Sequence, residues 1–402
     1  MEWKEVTLGD FMQCNPKRTI KKGQKARKIT MDLLIPHSKT IRNWNYEPYS
    51  GGAKFQNGDT IMARITPCLE NGKHAFVSIL NKGEIAYGST EYFVFCGKED
   101  VSDNDFVYYL TKTPLFRDTA IKSMVGSSGR QRAQMDVLEN LKMLVPKDIS
   151  DQRRIASILS SLDRKIELNN KINADLEEMA QAIFKNWFVD FEPFKDGKFV
   201  DSELGMIPEG WKVGTLGDFC KCLLGGTPSR SKEEYWNGDV NWINSGEINK
   251  FRILEASEKI TELGLSKSAT KLLPKKTTVL AITGATLGQV SLLEIDTCAN
   301  QSVIGVLENA EVPYEYIYPF IKDRIEMLIQ HQTGGAQQHI NKDNVESLIF
   351  LLPAKNVLEN YISLVGPMYK RIESQCFENL YLSLLRDTLL PRLMSGELEV
   401  PE

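Results

Sequence analysis

Seven basic side chains lie within the twelve residues 17–28, in the segment "PKRTIKKGQKARK", and no acidic residue interrupts them. Ammonium and guanidinium groups at this density contact the phosphates of nucleic acids and release their counterions, although such a run can also form a solvated loop. Because this effect depends on the charge at the contact, the net charge of −4 for the whole chain does not exclude a nucleic-acid surface. The seven residues are Lys17, Arg18, Lys21, Lys22, Lys25, Arg27 and Lys28.

Further candidates for contacts with phosphates or base edges are spread over both halves of the chain. Arginine pairs well with guanine and glutamine with adenine, so both residue types can read bases as well as phosphates. In a glycine-rich segment the alternative interpretation is a turn that leads into a buried strand. The candidates of the first half are Arg64, Arg130, Gln131 and Arg132. Those of the second half are Arg230, Lys232, Lys250, Lys267, Lys271, Lys275, Lys276, Gln337, Gln338 and His339.

Catalytic motifs are missing from the sequence. The four histidines have no metal-binding spacing, and the seven cysteines form no CxxC pair, which is typical of free thiols in a reducing cytoplasm. The segment "GGTPSRSK" is a better turn than a phosphate loop, and no Asn-Pro-Pro-aromatic run of an amino-methyltransferase occurs. Neither a signal peptide nor a run of 18 apolar residues is found, so we expect no membrane partner. The sequence therefore predicts a cytoplasmic binding protein with no metal or cofactor of its own.

The sequence contains an internal repeat that defines its architecture. "WKEVTLGDFMQC" begins at Trp3 and "WKVGTLGDFCKC" at Trp211, with eight of twelve positions identical and a displacement of 208 residues. Short β-branched runs recur at 60–63 and 278–281, and each half ends its globular part with a glycine-rich loop, an apolar strand and a proline. Two similar α/β domains are the simplest interpretation.

A long helix is predicted after each globular part. Residues 152–187 contain neither glycine nor proline, and apolar side chains recur at spacings of three and four, as on one face of a helix about 50 Å long. The second helix is expected to start at Gly366-Pro367 and to end or kink near Pro391. The residues predicted to form the interface between the helices, or with a partner, are Ile155, Leu159, Leu162, Ile166, Leu176, Met179, Ile183, Ile372, Leu382 and Leu389.

Two such stripes in one chain favour an antiparallel, coiled-coil-like helix pair, and the alternative is that each helix packs on its own domain. The predicted fold is α+β: two similar domains held apart by the helix pair, with a pseudo-twofold internal repeat. The predicted boundaries are 1–148 and 192–352 for the domains, and 149–191 and 353–402 for the helical regions. Asn173 and Asn379 lie on or beside the stripe, where a buried asparagine fixes register and an exposed one has no role.

The whole chain resembles the specificity subunit of type I restriction–modification systems. The resemblance rests on a combination of segments: the two "WKxxTLGDF" starts, "GGTPSRSKEEYWNGDVNWINSGEI", "YGSTEYFVF", "QRRIASILSSLDRKIELNNKINADLEEMAQAIFKNWFVDF", "TGGAQQHINKDNVESLIFLLP" and "LLPRLMSGEL". It implies two target recognition domains, each reading one half of a split DNA target, with the helices as spacer and as docking site for methyltransferase subunits.

The resemblance also implies the partners. These are double-stranded DNA, two methyltransferase subunits that carry S-adenosylmethionine, and two restriction and translocase subunits. Residues that distinguish the half-sites are expected where the repeats diverge, at about 20–55 and 228–272. The charge is +5 over residues 1–148 and −4 over residues 205–353, so the second domain fits DNA less well unless its cations cluster or partners neutralise phosphates.

Two other functions are compatible with the sequence. One is the targeting subunit of a related enzyme whose nuclease and methylase share another chain. The other is a two-headed protein adaptor in which a coiled-coil rod spaces two peptide-binding domains. DNA affinity that falls with salt would argue against the adaptor.

Overall fold

The computed structural model describes residues 1–330 and 339–400. The chain forms two compact units, and each unit includes part of both long helices. Unit 1 comprises Met1–Leu168 and Glu378–Glu402, and unit 2 comprises Asn169–Phe377. No helix in the described part of the chain is both long enough and apolar enough to cross a membrane.

Unit 1 contains two four-stranded sheets and a two-stranded ribbon. The strands are β1 (Trp3–Thr7), β2 (Met12–Cys14), β3 (Lys25–Ile29), β4 (Asn45–Pro48), β5 (Lys54–Gln56), β6 (Thr60–Ala63), β7 (His74–Phe76), β8 (Ile85–Gly88), β9 (Tyr92–Gly97) and β10 (Lys142–Pro146). The helices are α1 (Leu8–Phe11), α2 (Asn104–Leu110), α3 (Pro114–Lys122), α4 (Met135–Glu139) and the first long helix, α5 (Ile149–Phe188).

The inner sheet of unit 1 has the order β2-β9-β6-β7, the outer sheet has the order β4-β3-β8-β5, and β1 pairs with β10. Along a strand, successive side chains point to opposite faces. In β6, Met62 packs with α2 and the long helices, whereas Ile61 packs against the outer sheet. Both faces of the inner sheet are therefore covered, which is why β6 is buried throughout.

Unit 2 repeats this architecture. Its strands are β11 (Phe199–Ser202), β12 (Gly205–Pro208), β13 (Lys212–Thr215), β14 (Lys221–Leu224), β15 (Trp236–Ile243), β16 (Glu258–Ile260), β17 (Leu272–Leu273), β18 (Thr278–Ala281), β19 (Val290–Leu292), β20 (Thr297–Ala299), β21 (Val303–Leu307) and β22 (Ile349–Leu352). Its helices are α6 (Leu216–Phe219), α7 (Glu262–Ser266), α8 (Tyr314–Gln330), α9 (Lys342–Glu346) and the second long helix, α10 (Lys355–Met394).

The sheet orders of unit 2 match those of unit 1. The inner sheet is β14-β21-β18-β19, the outer sheet is β16-β15-β20-β17, and β13 pairs with β22. The hairpin β11-β12 is additional. The repeated runs at 60–63 and 278–281 occupy the same place in the two inner sheets, as the sequence predicts.

The repeated "TLGDF" has a local structural reason. Thr7 caps the N-terminus of α1, because its Oγ1 accepts a hydrogen bond from the Asp10 amide at 3.3 Å. Thr215 and Asp218 form a reciprocal capping box at α6. Leu8, the first residue of α1, is fully buried, so the motif turns the chain and anchors it in the core at the same time.

The two long helices run antiparallel within each unit. In unit 1, Asp163 contacts Arg386 at 2.6 Å and Lys165 contacts Glu378 at 3.4 Å, so residue numbers rise on one helix as they fall on the other. In unit 2, Asn169 bonds to Gln375 at 3.1 Å, and the rings of Phe188 and Tyr361 lie 4.8 Å apart. The helices also pack on their own globular parts, so both interpretations of the apolar stripe hold.

The expected helix start at Gly366-Pro367 is wrong, because α10 begins at Lys355 and continues through this pair. The missing proline N–H is tolerated because tertiary packing stabilises the turn: Tyr361 and Val365 are fully buried and Tyr369 is 3% exposed. Pro391 lies in the last turn of the helix, which ends at Met394.

The contact face of the helices is more polar than the apolar periodicity predicts. Of the predicted interface residues, Ile155, Leu159 and Ile372 are fully buried, and Leu162, Ile166, Leu176, Ile183, Leu382 and Leu389 are half-buried. Met179 is 50% exposed. Asn173 is 2% exposed and donates to Cys376 Sγ at 3.6 Å, which answers the question of its burial.

Candidate nucleic-acid interface

The basic run covers strand β3 of the outer sheet in unit 1 and the loop before it. Lys17, Lys21, Lys22 and Lys25 are exposed, and none of the four makes a salt bridge to any residue that the structure describes. Their ammonium groups are therefore available to a ligand with negative charge.

The other three cations of the run have acidic partners. Arg18 donates to buried Asp59 at 2.8 Å, and Arg27 contacts Glu84 at 3.2 Å while it lies over the ring of Trp44. Lys28 bonds to Glu47 at 2.8 Å, and this hydrogen bond raises the pKa of Lys28. These cations organise the sheet, whereas the four lysines face solvent.

A polar pocket of about 500 Å³ is lined by one of the exposed lysines, Lys25. Its lining includes Gln24, Lys25, Arg27 and Tyr46, and Tyr46 is 63% exposed. Trp44, 42% exposed, stands beside Arg27. Exposed aromatic rings among cations are suited to contacts with both bases and phosphates.

The remaining candidates of unit 1 differ in whether their side chains already contact other residues of the unit. Arg132 holds Glu91 through Nε at 3.0 Å and Nη2 at 2.7 Å, and this hydrogen bonding lowers the pKa of Glu91. Arg64 lies over the ring of Phe93 and donates to the Ala133 carbonyl at 3.3 Å. The neighbouring Arg130 is exposed and Gln131 half-buried.

In unit 2 most candidate cations have partners within the unit. Arg230 forms a two-point contact with Glu258 and lies 3.6 Å above the ring of Trp236. Lys250 contacts Glu247 at 3.0 Å, and Lys232 donates to the Tyr235 hydroxyl at 3.0 Å.

The other candidate lysines of unit 2 contact a long helix or have no acidic partner among the described residues. Lys275 and Lys276 contact Glu373 on α10. Lys267 and Lys271 are exposed and form no salt bridge within the described ranges. His339 is exposed, and Gln337 and Gln338 lie outside the described residues.

The register of the two outer sheets identifies equivalent positions. Each sheet has one parallel strand pair, with Lys28 opposite Tyr87 in unit 1 and Trp242 opposite Cys298 in unit 2. Lys28 is therefore equivalent to Trp242, and Arg27 to Asn241. The same backbone frame presents different side chains in the two units.

The residue contacts of the structure group each globular part with segments of both long helices. They therefore do not decide the predicted division of the chain into four segments.

Within residues 1–330 and 339–400, no cluster of three or more histidine, cysteine, aspartate or glutamate side chains could hold a metal ion. The candidate interface is thus built from cations, aromatic rings and amides. Polar and positively charged surfaces of this kind are typical of proteins that bind nucleic acids.

A duplicated two-sheet unit with exposed cations and aromatic rings is typical of a nucleic-acid-binding protein with two recognition modules. The model of the type I restriction modification DNA specificity domain matches residues 1–178 and 208–360. The chain belongs to this family.

Individual relatives agree with this assignment. The chain is 29% identical over 304 residues to the type I restriction enzyme MjaIX specificity subunit of Methanocaldococcus jannaschii, across 74% of this chain and 70% of the relative. It is 25% identical to the HindI specificity subunit of Haemophilus influenzae, across 99% of this chain and 100% of the relative. The crystal structure of the type I restriction-modification system S subunit from M. genitalium shares the fold, with a TM-score of 0.55, 14% identity, and coverage of 98% of this chain and 96% of that one.

Proposed function

We propose that the chain is the non-catalytic DNA-recognition subunit of a type I restriction–modification enzyme, in which units 1 and 2 each read one half of a bipartite target. The observation that carries the proposal is the pair of outer sheets. They share strand order and one parallel pair, yet equivalent positions carry different side chains, as with Arg27 and Asn241. A duplicated frame that carries different side chains is suited to two different half-sites.

In unit 1, Lys17, Lys21, Lys22 and Lys25 would contact phosphates, since phosphate contacts position a protein on DNA without specifying sequence. The base-reading side chains would lie within 20–55, where the outer sheet presents Tyr46 and Trp44. In unit 2 the corresponding region is 228–272. Because most cations of unit 2 already have acidic partners, we expect it to contribute less to nonspecific affinity.

The long helices would set the gap between the half-sites. Each has 40 residues, and at 1.5 Å per residue such a helix is about 60 Å long, comparable to about 18 base pairs of duplex DNA at roughly 3.4 Å per base pair. Their exposed faces would receive two methyltransferase subunits that bring S-adenosylmethionine and the catalytic groups. Two restriction and translocase subunits would complete the enzyme in the cytoplasm.

The proposal is tested by mapping methylated adenines in cells that express the chain together with its methyltransferase partner. We expect one split target. Exchange of residues 20–55 for the corresponding segment of a relative should change one half-site and leave the other half and the gap unchanged.

A second variant tests the spacer. Insertion of four residues, about one helical turn, within 152–187 should change the gap and preserve both half-sites. Altered half-sites with an unchanged gap would exclude this role for the helices. DNA affinity that does not fall with salt would instead support the protein adaptor.

A further inference from the structure

A chain of alternating charges connects the two long helices through the globular part of unit 2. It begins at Glu177 on α5 and ends at Glu373 on α10. Arg252, Glu294 and Lys276 lie between them and belong to the segments that join the strands of the two sheets. We name these five residues the unit 2 ion network.

Three of the four contacts of this network are short, the fourth is longer, and the network is mostly buried. Arg252 Nη2 lies 2.8 Å from Glu177 Oε2, and its Nε lies 3.9 Å from Glu294 Oε1. Lys276 Nζ lies 2.5 Å from Glu294 Oε2 and 2.9 Å from Glu373 Oε2. The side chains of Arg252 and Glu294 are each 1% exposed.

Each globular segment of the network is tied to the outer or inner sheet. Arg252 precedes Ile253, whose amide bonds to the Leu292 carbonyl of β19. Lys276 lies in the turn between β17 and β18 with φ of 69°, a left-handed conformation that is unfavourable for a residue with a Cβ. The Lys276 amide donates to the Leu293 carbonyl at 2.7 Å, and this contact helps to hold the turn beside α10.

Buried ion networks contribute little net stability compared with apolar residues of similar shape, because desolvation offsets the attraction between charges. Their better-supported role is to specify one arrangement, since each charge requires its partner at a defined place. An apolar contact of the same area would tolerate sliding. The unit 2 ion network therefore fixes orientation more than it adds stability.

We propose that the unit 2 ion network is a positioning device, in which Glu373 and Arg252 lock the outer sheet of unit 2 onto both long helices and thereby restrict the enzyme to one gap length. This inference rests on the proposed function. Glu373 is the positioning residue at α10. Arg252, which also donates to the Tyr318 hydroxyl at 3.1 Å, is the positioning residue at α5.

Unit 1 places a similar contact at the equivalent helix position. Glu167 precedes Glu373 by 206 residues and belongs to "KIE", the counterpart of "RIE" around Glu373. It accepts from Thr40 at 2.8 Å and contacts Arg42 at 3.0 Å. The two units thus use the same helix position through different segments, and the contact of unit 2 is the more buried.

The test uses the full chain assembled with its methyltransferase subunits and a DNA library with fixed half-sites and gaps that vary in single base pairs. In Glu373→Gln, methylation at gaps one base pair too long or short should rise about tenfold relative to the native gap, the effect of losing about one charge-assisted hydrogen bond. Glu373→Asp, which keeps the carboxylate, should restore most of the discrimination.

The matched control is Glu359→Gln, because Glu359 lies on the same helix and, among the residues that the structure describes, forms a salt bridge only with Lys355 of that helix. It should retain the discrimination of the wild type. Lys275→Gln, measured in parallel, removes the more exposed contact to Glu373 and should relax the gap to a smaller degree.

Two results would overturn the positioning role. One is a wild-type gap ratio in Glu373→Gln, and the other is an equal loss of methylation at every gap, as expected from lost stability alone. Absence of a bipartite target in the wild-type assembly would instead refute the proposed function itself.

Discussion

The outer sheets of the two units have the same strand order but different electrostatics. In unit 1, Lys17, Lys21, Lys22 and Lys25 extend into solvent without acidic partners among the described residues. In unit 2, Arg230 is held by Glu258. Duplication has preserved the backbone frame, while the charges on it have diverged. The frame is therefore separable from the charged surface that it carries.

A second contrast lies beneath the inner sheets. "DFVYYLTK" at 105–112 and "EYIYPFIK" at 315–322 place Lys112 and Lys322 at equivalent positions, each near the ring of an equivalent tyrosine. Lys322 contacts Glu177 at 2.9 Å. The repeat equivalent of Glu177 is Ser383, and the buried Lys112 ammonium makes no hydrogen bond in the described part of the chain.

The pKa values of the two lysines are consequently shifted in opposite directions. Burial, assisted by the positive charge of Arg386, lowers the pKa of Lys112 to about 8. Burial also acts to lower the pKa of Lys322, but Tyr318 and Glu177 outweigh it, so the pKa of Lys322 is raised. At neutral pH the buried charge of Lys112 therefore reduces the stability of unit 1, whereas the charge of Lys322 in unit 2 is paired with Glu177.

The largest effect is expected at the contact between the two long helices within unit 1. Asp163→Asn removes the buried ion-pair partner of Arg386, which keeps only the exposed Asp387, and weakens the contact with the Tyr109 hydroxyl, so unit 1 should lose about 3–5 kcal/mol of stability. Hydrogen exchange of β6 and β9 should accelerate, whereas β18 and β21 of unit 2 keep their protection.

The control for this variant is Asp387→Asn, because Asp387 contacts the same arginine but its side chain is 59% exposed. A loss below about 1 kcal/mol is expected. Equal losses of stability in both variants would show that the buried contact contributes no more to stability than the exposed one.

The next effect concerns the exposed lysines. Simultaneous change of the four to glutamine should weaken DNA binding by the assembled enzyme about 10²- to 10³-fold and flatten its salt dependence, because up to four phosphate contacts are lost. Titration of labelled DNA at several salt concentrations measures both.

The comparison variant combines Arg230→Gln, Lys232→Gln and Lys250→Gln, whose cations already have partners in unit 2. We expect a loss below about tenfold. If this variant weakened binding as much as the lysine variant, the electrostatic contrast between the outer sheets would have no functional meaning.

A smaller effect is expected from the lysines beneath the inner sheets. Lys112→Met should stabilise unit 1 at pH 7 by about 1–3 kcal/mol, because it removes a buried charge that has no hydrogen-bond partner among the described residues. Lys322→Met should destabilise unit 2, since Glu177 loses one of its cations. Hydrogen exchange resolved by unit measures each.

The pH dependence follows from the lowered pKa. Between about 8 and 10.4 the unfolded chain binds more protons at Lys112 than the folded chain, so the stability of unit 1 should rise with pH across this window. Lys112→Met should abolish the rise. A rise that persists in the variant would assign it to other groups. Lys122→Met, at an exposed position, serves as control.

Local signals in the sequence determine much of the fold. The repeat at Trp3 and Trp211, the Thr-capped turns and the apolar strands predict two similar domains, and the uninterrupted segment 152–187 lies within the observed helix Ile149–Phe188. Such features follow from propensities and periodicities within a few residues, and these can be recognised in the amino-acid sequence.

The tertiary structure alone decides which charges are free. Lys17 and Lys275 are indistinguishable as basic residues in sequence, yet Lys17 has no ion pair among the described residues and Lys275 contacts Glu373, 98 positions away. The polar contacts between the helices and the continuation of α10 through Pro367 also depend on distant partners. Electrostatic and packing energies are set by distance in space and by exclusion of water, and neither follows from separation along the chain.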